Sequence, residues 1–146
     1  MTWLDDKGWS APIRMSEAIE KKWWEQVPKG RKGVYRLIAL AEANNNIMPA
    51  ALRRVCGVDE TGTLYIGASK QSLANRLGSL VMTHRSDFKG KPRAPLSKLL
   101  GERFPADKLA MSWKLTEKPW QREADLLRAY EEAFGELPPR NSQYPK

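Results

Sequence analysis

The stretch "GTLYIGASKQSLANRL", residues 62–77, contains the change from strand to helix on which the fold depends. Residues 63–68 follow a glycine-rich turn and are rich in β-forming side chains, which predicts a strand. From about Ser72 to Met82 apolar residues recur at helical spacing. Arg76 lies beside that apolar stripe, where a charge is costly unless it is paired or open to solvent. The stripe consists of Leu73, Leu77, Leu80 and Val81.

Length and charge limit the class of protein. The 146 residues suit one domain with a usable core. The formal net charge is +8 and the pI is near 9.7, which favours a polyanionic partner, most often nucleic acid. The alternative is a soluble protein that is basic without binding nucleic acid.

Cysteine and histidine are too scarce for several kinds of site. Cys56 is the only cysteine, so an internal disulfide and a cysteine-based zinc site are excluded. His84 is the only histidine, which excludes a two-histidine metal site within one chain. No apolar run is long enough to span a membrane, and the N-terminus does not resemble a signal peptide. We therefore expect a cytoplasmic protein that does not act at a membrane.

The order of predicted elements indicates an α+β fold. Ser16 is a candidate cap for an N-terminal helix that Pro28 ends. A later helix is predicted to begin at Pro119 and to end at Gly135. The predicted strands cover residues 33–41, 63–68 and 108–116, with one helical turn at 50–55, a basic loop at 83–95 and a short helix near 96–102.

Glu123 raises the same question as Arg76, because it lies four residues before Leu127 and shares that apolar face. Two explanations remain open at this point. Arg76 and Glu123 either pair with each other or lie at the rim of the core, or both open into a cleft that holds a phosphate and a cation.

Two triplets connect these residues to a known family. "GVY" occupies Gly33–Tyr35 and "YIG" occupies Tyr65–Gly67, a pattern that resembles the GIY-YIG endonuclease superfamily. In that family an arginine follows on the helix after YIG, a glutamate lies on a later helix and an asparagine lies near the domain's end. The residues in those places here are Arg76, Glu123 and Asn141, and the resemblance covers about residues 32–142.

The sequence departs from the family pattern at three points. Tyr35 and Tyr65 are thirty residues apart, where the family usually has a tighter hairpin. The interval to Arg76 is one residue longer than in most members, so Asn75 or Arg85 are alternatives for its place. His84 is a looser match, because the family's histidine or tyrosine stands one turn after the arginine, where this chain has Leu80.

The resemblance implies a small three-stranded mixed or antiparallel sheet flanked by helices, spanning residues 32–146. Residues 1–31 would form an extra N-terminal helical extension of a single domain. It also implies hydrolysis of a DNA phosphodiester with one divalent cation, Mg²⁺ or Mn²⁺. Glu123 would be the single oxygen ligand of that cation, and Arg76 would hold the phosphate.

The resemblance gives the other polar residues supporting roles. Tyr35 would orient or deprotonate the attacking water, with its pKa lowered by a neighbouring cation. Tyr65 would assist in the same network, and His84 would relay a proton or hold a phosphate. Asn141 would anchor the tail against the site by hydrogen bonds.

Basic residues after the YIG strand form a candidate nucleic-acid surface, and the alternative is a solvated basic loop. We expect DNA as the partner, with RNA left open. Specificity would come from the 42–61 insertion, the N-terminal helix, a second subunit of a homodimer or a separate partner. The candidate contacts are Lys70, Arg85, Lys89, Lys91, Arg93 and Lys98, with Arg53 and Arg54 in the insertion.

The rival functions are a catalytically silent nucleic-acid-binding module on the same scaffold and a basic interaction protein unrelated to nucleases.

Overall fold

The computed structural model describes residues 3–4, 7–21, 23–41, 47–88 and 106–141, with the backbone alone for 82–88 and 106. Its helices and strands confirm the α+β class. The helices are α1 (Met15–Lys21), α2 (Leu73–Phe88) and α3 (Pro119–Phe134). The strands are β1 (Ile13–Arg14), β2 (Gly33–Ala39), β3 (Leu52–Arg54), β4 (Gly57–Asp59), β5 (Thr63–Ser69) and β6 (Leu109–Leu115).

Four strands form the main sheet in the order β1-β6-β2-β5, and every neighbouring pair is antiparallel. The GVY strand β2 lies inside the sheet, and all seven of its residues are buried. Its mostly apolar run, interrupted by the buried Arg36, fits a strand that is covered on both faces. The YIG strand β5 is an edge strand beside it.

The two faces of the sheet carry different layers. Alternate residues of β2 point to opposite faces. On one face Tyr35 packs in a cluster with Leu73 and Leu77 of α2. On the other face Val34 packs in a cluster with Leu127 of α3. The sheet therefore separates the helix that carries Arg76 from the helix that carries Glu123.

The expected three-stranded sheet is wrong by one strand. Residues Ile13 and Arg14 pair with Met111 and Ala110 of β6, so the N-terminal segment supplies a fourth strand. The N-terminal helix is also shorter than predicted: α1 ends at Lys21, and a 3-10 turn covers Trp23–Gln26. A side chain at Gly78 of α2 would collide with the Trp24 ring, so this turn packs closely on α2.

The predicted helical turn at residues 50–55 is wrong, because β3 and β4 form a separate two-stranded hairpin there. Asp59 closes the hairpin's far end by accepting hydrogen bonds from the backbone N–H groups of Thr61 (2.8 Å) and Thr63 (3.2 Å). Arg54 is held by an ion pair with Glu136 at 3.0 Å. The local turn bonds of Asp59 and the tertiary ion pair of Arg54 together outweigh the weak helical preference of one turn.

The predictions for the last two helices are largely confirmed. Pro119 occupies the start of α3, and Gly135 ends it with φ 77° while its N–H donates to the Glu131 carbonyl. Helix α2 continues to Phe88, so the predicted basic loop does not begin at residue 83. The predicted short helix near 96–102 lies outside the described residues. None of the helices in the described part of the chain is long and apolar enough to span a bilayer.

Candidate functional site

Tyr35 lies directly across from Gly67 in the pairing of β2 with β5. The Tyr35 ring leans over Gly67, and a Cβ at that position would collide with the ring carbon and the hydroxyl oxygen of Tyr35. Glycine is therefore required by space and not by an unusual backbone angle. The two triplets belong together because the glycine of the second makes room for the tyrosine of the first.

Arg76 extends from α2 to the same tyrosine. Its Nε donates a hydrogen bond of 3.1 Å to the Tyr35 hydroxyl, and its guanidinium carbon lies 5.9 Å from the Tyr35 ring centroid. The Tyr65 ring lies 6.1 Å from the Tyr35 ring. We call Tyr35, Tyr65 and Arg76 the tyrosine–arginine cluster. Arg76 is itself exposed, so the edge of α2 faces solvent and not a sealed core.

The pKa of Tyr35 corrects one expectation. Burial raises the pKa of Tyr35 above its ordinary value of 10.0, and the neighbouring Tyr65 raises it further, while Arg76 lowers it by less. The expected lowering of this pKa by a nearby cation is therefore wrong for this structure. Tyr35 keeps its phenolic proton at neutral pH, so it is a hydrogen-bond donor and not a base.

Arg76 responds to the same surroundings. Burial alone would lower the pKa of Arg76, but Tyr35 and then Tyr65 raise it, and the net direction is upward. The guanidinium thus stays charged, as arginine does generally in proteins. Its Nε donates to Tyr35, and its other N–H groups can contact a phosphate.

Glu123 is a buried carboxyl group on α3, 8% exposed. Its Oε2 has no hydrogen-bond partner among the described residues. Burial raises the pKa of Glu123 from 4.5 to about 6. The suggested pairing of Glu123 with Arg76 is not observed, since Arg76 bonds to Tyr35 instead. A buried carboxylate without a partner is stabilised by a bound cation.

Glu123 fits a cation that takes few protein ligands. No three His, Cys, Asp or Glu side chains gather as a candidate metal cage in the described ranges. Mg²⁺ is commonly held by one or two carboxylates and otherwise by water and substrate phosphate. The orphaned Oε2 of Glu123 could serve as one such hard oxygen ligand.

Asn141 is bound to the backbone of the YIG strand. Its Oδ1 accepts from the Ile66 N–H at 2.9 Å, and its Nδ2 donates to the Ile66 carbonyl at 3.0 Å. The amide therefore takes the place of a strand partner along the open edge of β5. Because Ile66 lies between Tyr65 and Gly67, this pair of bonds fixes the backbone under the tyrosine–arginine cluster.

The predicted nucleic-acid residues are only partly described. Lys70 and Arg53 are exposed and accessible to a polyanion. Arg54 is held by the Glu136 carboxylate and the Leu137 carbonyl (2.6 Å), so a phosphate would have to compete with both. His84 and Arg85 lie on α2 with only their backbone described. The remaining residues, Lys89, Lys91, Arg93 and Lys98, lie outside the described residues.

Sequence reasoning missed two polar features. One is Trp120, which is 43% exposed beside Lys70. A tryptophan in the first turn of a helix, close to a lysine in the sequence, could have indicated this surface. The other is Asp59, which is fully buried and accepts a hydrogen bond of 2.9 Å from the Tyr130 hydroxyl. Nothing in the sequence links Asp59 to a tyrosine seventy-one residues away.

Gly67→Ala is expected to destabilise the fold by about 1–3 kcal/mol, because the new methyl group displaces the Tyr35 ring. Urea unfolding would measure the change. The matched test is a double-mutant cycle with Tyr35→Ala, in which removal of the ring should abolish most of the Gly67→Ala cost. A cost that stays the same in both backgrounds would place the Tyr35 ring elsewhere.

Glu123→Gln is expected to stabilise the metal-free protein at pH 7. A carboxyl whose pKa rises to about 6 on folding favours the folded state below pH 4.5, and that contribution is lost as the pH rises through 6. Glutamine has no charge to bury, so unfolding should cost about 1 kcal/mol more, or about 2–4 °C in midpoint. At pH 4 the two proteins should melt alike, and an equal difference at both pH values would contradict the assigned cause.

Comparisons of the chain with models of known protein families, with characterised proteins and with solved structures found no match.

Proposed function

We propose that this protein is a metal-dependent endonuclease that hydrolyses phosphodiester bonds in DNA, with RNA as a further candidate substrate. The observation that carries the proposal is the hydrogen bond from Arg76 to Tyr35 above Gly67. Through this bond, Tyr35 of β2, Gly67 of β5 and Arg76 of α2 form one polar group. Arg76 exposes that group to solvent. A buried tyrosine hydroxyl needs a hydrogen-bond partner, and here that partner is a charged side chain on the exposed edge of α2.

Arg76 is the phosphate-binding and charge-stabilising group of this proposal. Its planar guanidinium can contact two oxygens of one phosphate, and it stays charged at every working pH. The negative charge that builds on the phosphoryl oxygens during water attack is stabilised by such fixed donors. The bond to Tyr35 restricts the guanidinium to one orientation before substrate arrives.

The tyrosines position the attacking water. Tyr35 retains its proton, accepts from Arg76 and hydrogen-bonds with Tyr65. Because its side chain is fully buried, it would act on the attacking water through these two more exposed neighbours. Tyr65 lies beside Tyr35 and is the third member of the tyrosine–arginine cluster. Because Tyr35 stays protonated, the proton of the attacking water must pass to the solvent or to a base outside the tyrosine–arginine cluster.

Glu123 is the proposed ligand of a Mg²⁺ or Mn²⁺ ion, and its orphaned, buried oxygen supports that role. Glu123 and Arg76 lie on helices that cover opposite faces of the sheet, so one phosphate would have to reach both groups around the edge strand β5. When bound there, the ion would stabilise charge on the phosphoryl and leaving oxygens. Since the ion binds the carboxylate form, metal affinity and cleavage should both fall as the pH drops through about 6. Asn141 is a positioning residue, because it acts only through the β5 backbone.

The experiment is cleavage of supercoiled plasmid by the intact chain, with Mg²⁺ and with an excess of chelator. We expect nicked or linear DNA only when metal is present. Single-stranded and branched substrates should be assayed in parallel, because the preferred DNA structure is not set by the cluster. Absence of cleavage on all three substrates, in Mg²⁺ and in a repeat with Mn²⁺, would overturn the proposal.

A catalytically silent nucleic-acid-binding module is the second candidate. The raised pKa of Tyr35 favours it, since the cluster then contains no base for water. This candidate predicts DNA binding without metal-dependent cleavage. The plasmid assay and a binding assay on the same preparation separate the two functions.

A further inference from the structure

A cavity of about 420 Å³ lies where the sheet meets the first turn of α3. Its lining includes three lysines that come from three different parts of the chain: Lys32, Lys70 and Lys118. Trp120 and Pro119 of α3 complete the wall. We call this space the Trp120 cavity.

Trp120 is available to a ligand. The side chain is 43% exposed, although tryptophan buries more apolar area than any other residue when it packs in a core. Lys70 places its Nζ 4.7 Å from the centre of the Trp120 ring. This contact holds a positive charge over one face of the ring, so a stacked base takes the opposite face or displaces the Lys70 ammonium.

The charge around the cavity is strongly positive. Among the described residues of the lining, Glu117 is the one acidic side chain, and it pairs with Arg31 at 3.7 Å. Three lysines therefore dominate the potential of the space. An aromatic platform ringed by cations matches an unpaired nucleotide, whose base stacks on the ring while its phosphates contact the ammonium groups.

The cavity adjoins the proposed site along the chain. Lys32 comes directly before β2, and Tyr35 lies three residues further on. Pro119 and Glu123 are four residues apart on α3, so they are neighbours on one helix face at about 5–6 Å between Cβ atoms. Tyr35 thus lies on the strand that follows Lys32, and Glu123 lies on the helix that begins with Pro119 and Trp120. Both residues are close along the chain to residues that line the cavity.

We propose that the Trp120 cavity binds one unpaired nucleotide of a single-stranded nucleic acid, with its base stacked on Trp120. We place this nucleotide next to the phosphate that is cleaved, and that placement rests on the proposed nuclease function. In a fully paired duplex the bases stack on each other and are not free to reach Trp120. The protein therefore prefers substrates with unpaired nucleotides, such as single strands, flaps or bubbles, over uninterrupted duplex.

The test measures binding in chelator, so that cleavage does not interfere. Fluorescence anisotropy of a labelled oligothymidine of about 15 nucleotides is compared with a labelled duplex of equal length. Trp120→Ala should weaken binding of the single strand by about 5- to 150-fold, the range expected for loss of one base–aromatic stack. Trp120→Phe should keep most of the affinity, because the aromatic face remains. Trp120 is partly exposed, so thermal melting should show both variants folded.

Lysine variants test the electrostatic half of the proposal. Lys70→Ala should reduce the salt dependence of binding by about one unit of slope. Lys21→Ala is the matched control, because Lys21 is exposed at the end of α1 and does not line the cavity. Its salt dependence should stay that of the unmodified protein.

The outcomes separate this proposal from the nuclease function. Equal single-strand binding by the unmodified protein and by Trp120→Ala would overturn the cavity assignment, even if plasmid is cleaved. Equal affinity of the unmodified protein for single strand and duplex would also overturn it. Binding that depends on Trp120, in a protein that never cleaves DNA, would support the cavity and overturn the nuclease.

Discussion

Replacement of Glu123 by glutamine is expected to reduce metal-dependent DNA cleavage by at least about 10³-fold, because it removes the proposed protein ligand of the cation. Glutamine has nearly the same shape, and it leaves no unpaired charge in a side chain that is only 8% exposed. The variant should therefore fold at least as well as the unmodified protein. Single-turnover cleavage of plasmid in Mg²⁺ measures the loss, and melting confirms the fold.

Glu132→Gln is the matched control for this experiment. Glu132 lies on the same helix and is exposed, so the substitution removes one carboxylate without touching the proposed site. We expect its cleavage rate to stay within about twofold of the unmodified protein, the usual effect of a neutral surface change. Cleavage by Glu123→Gln at the same rate as by Glu132→Gln would remove Glu123 from the mechanism.

Replacement of Arg76 by alanine is expected to reduce cleavage by about 10²–10³-fold, the usual cost of one preorganised donor to a developing negative charge. Arg76→Lys should recover little of that loss, because an ammonium group cannot contact two phosphate oxygens in one plane. Arg76 is exposed, so both variants should remain folded. The rates are measured at saturating DNA, which separates transition-state stabilisation from binding.

The control for Arg76 is Arg128→Ala, which removes a cation from the exposed face of α3. Arg128 pairs only at the surface with Asp125, at 3.3 Å. Its loss should change cleavage little, since exposed ion pairs contribute weakly. If Arg76→Ala and Arg128→Ala lost activity equally, general loss of positive charge would explain both, and the specific role of Arg76 would be wrong.

Much of the tyrosine–arginine cluster follows from local sequence patterns. Period-two and aliphatic runs predicted β2, β5 and β6, and helical spacing placed Arg76 at the margin of an apolar stripe. The end signals at Pro119 and Gly135 are local backbone requirements, so α3 was predicted with its ends. The resemblance of the two triplets then joined Tyr35 and Gly67, which the strand register places opposite each other.

Features set by distant contacts were not predictable in this way. Strand β1 has only two residues and exists because β6 offers an edge to Ile13 and Arg14. The β3–β4 hairpin depends on Glu136, which lies eighty-two residues after Arg54 in the chain. Short segments have little intrinsic preference, so tertiary pairing decides their structure.

Burial explains the error about Tyr35. The sequence shows that an arginine follows on the next helix, and an opposite charge lowers a phenol's pKa. It does not show that Tyr35 is fully buried, and burial has the larger effect on its pKa. The same limit applies to Trp120, whose exposure beside Lys70 is visible only in the folded chain.

The most direct test is one gel that compares the unmodified protein with Glu123→Gln and Arg76→Ala on supercoiled plasmid in Mg²⁺. We predict nicked and linear DNA with the unmodified protein, and intact supercoiled DNA with both variants. Equal cleavage by all three proteins would contradict the proposed site. Absence of cleavage by the unmodified protein, while it still binds DNA, would contradict the nuclease and leave the nucleic-acid-binding module.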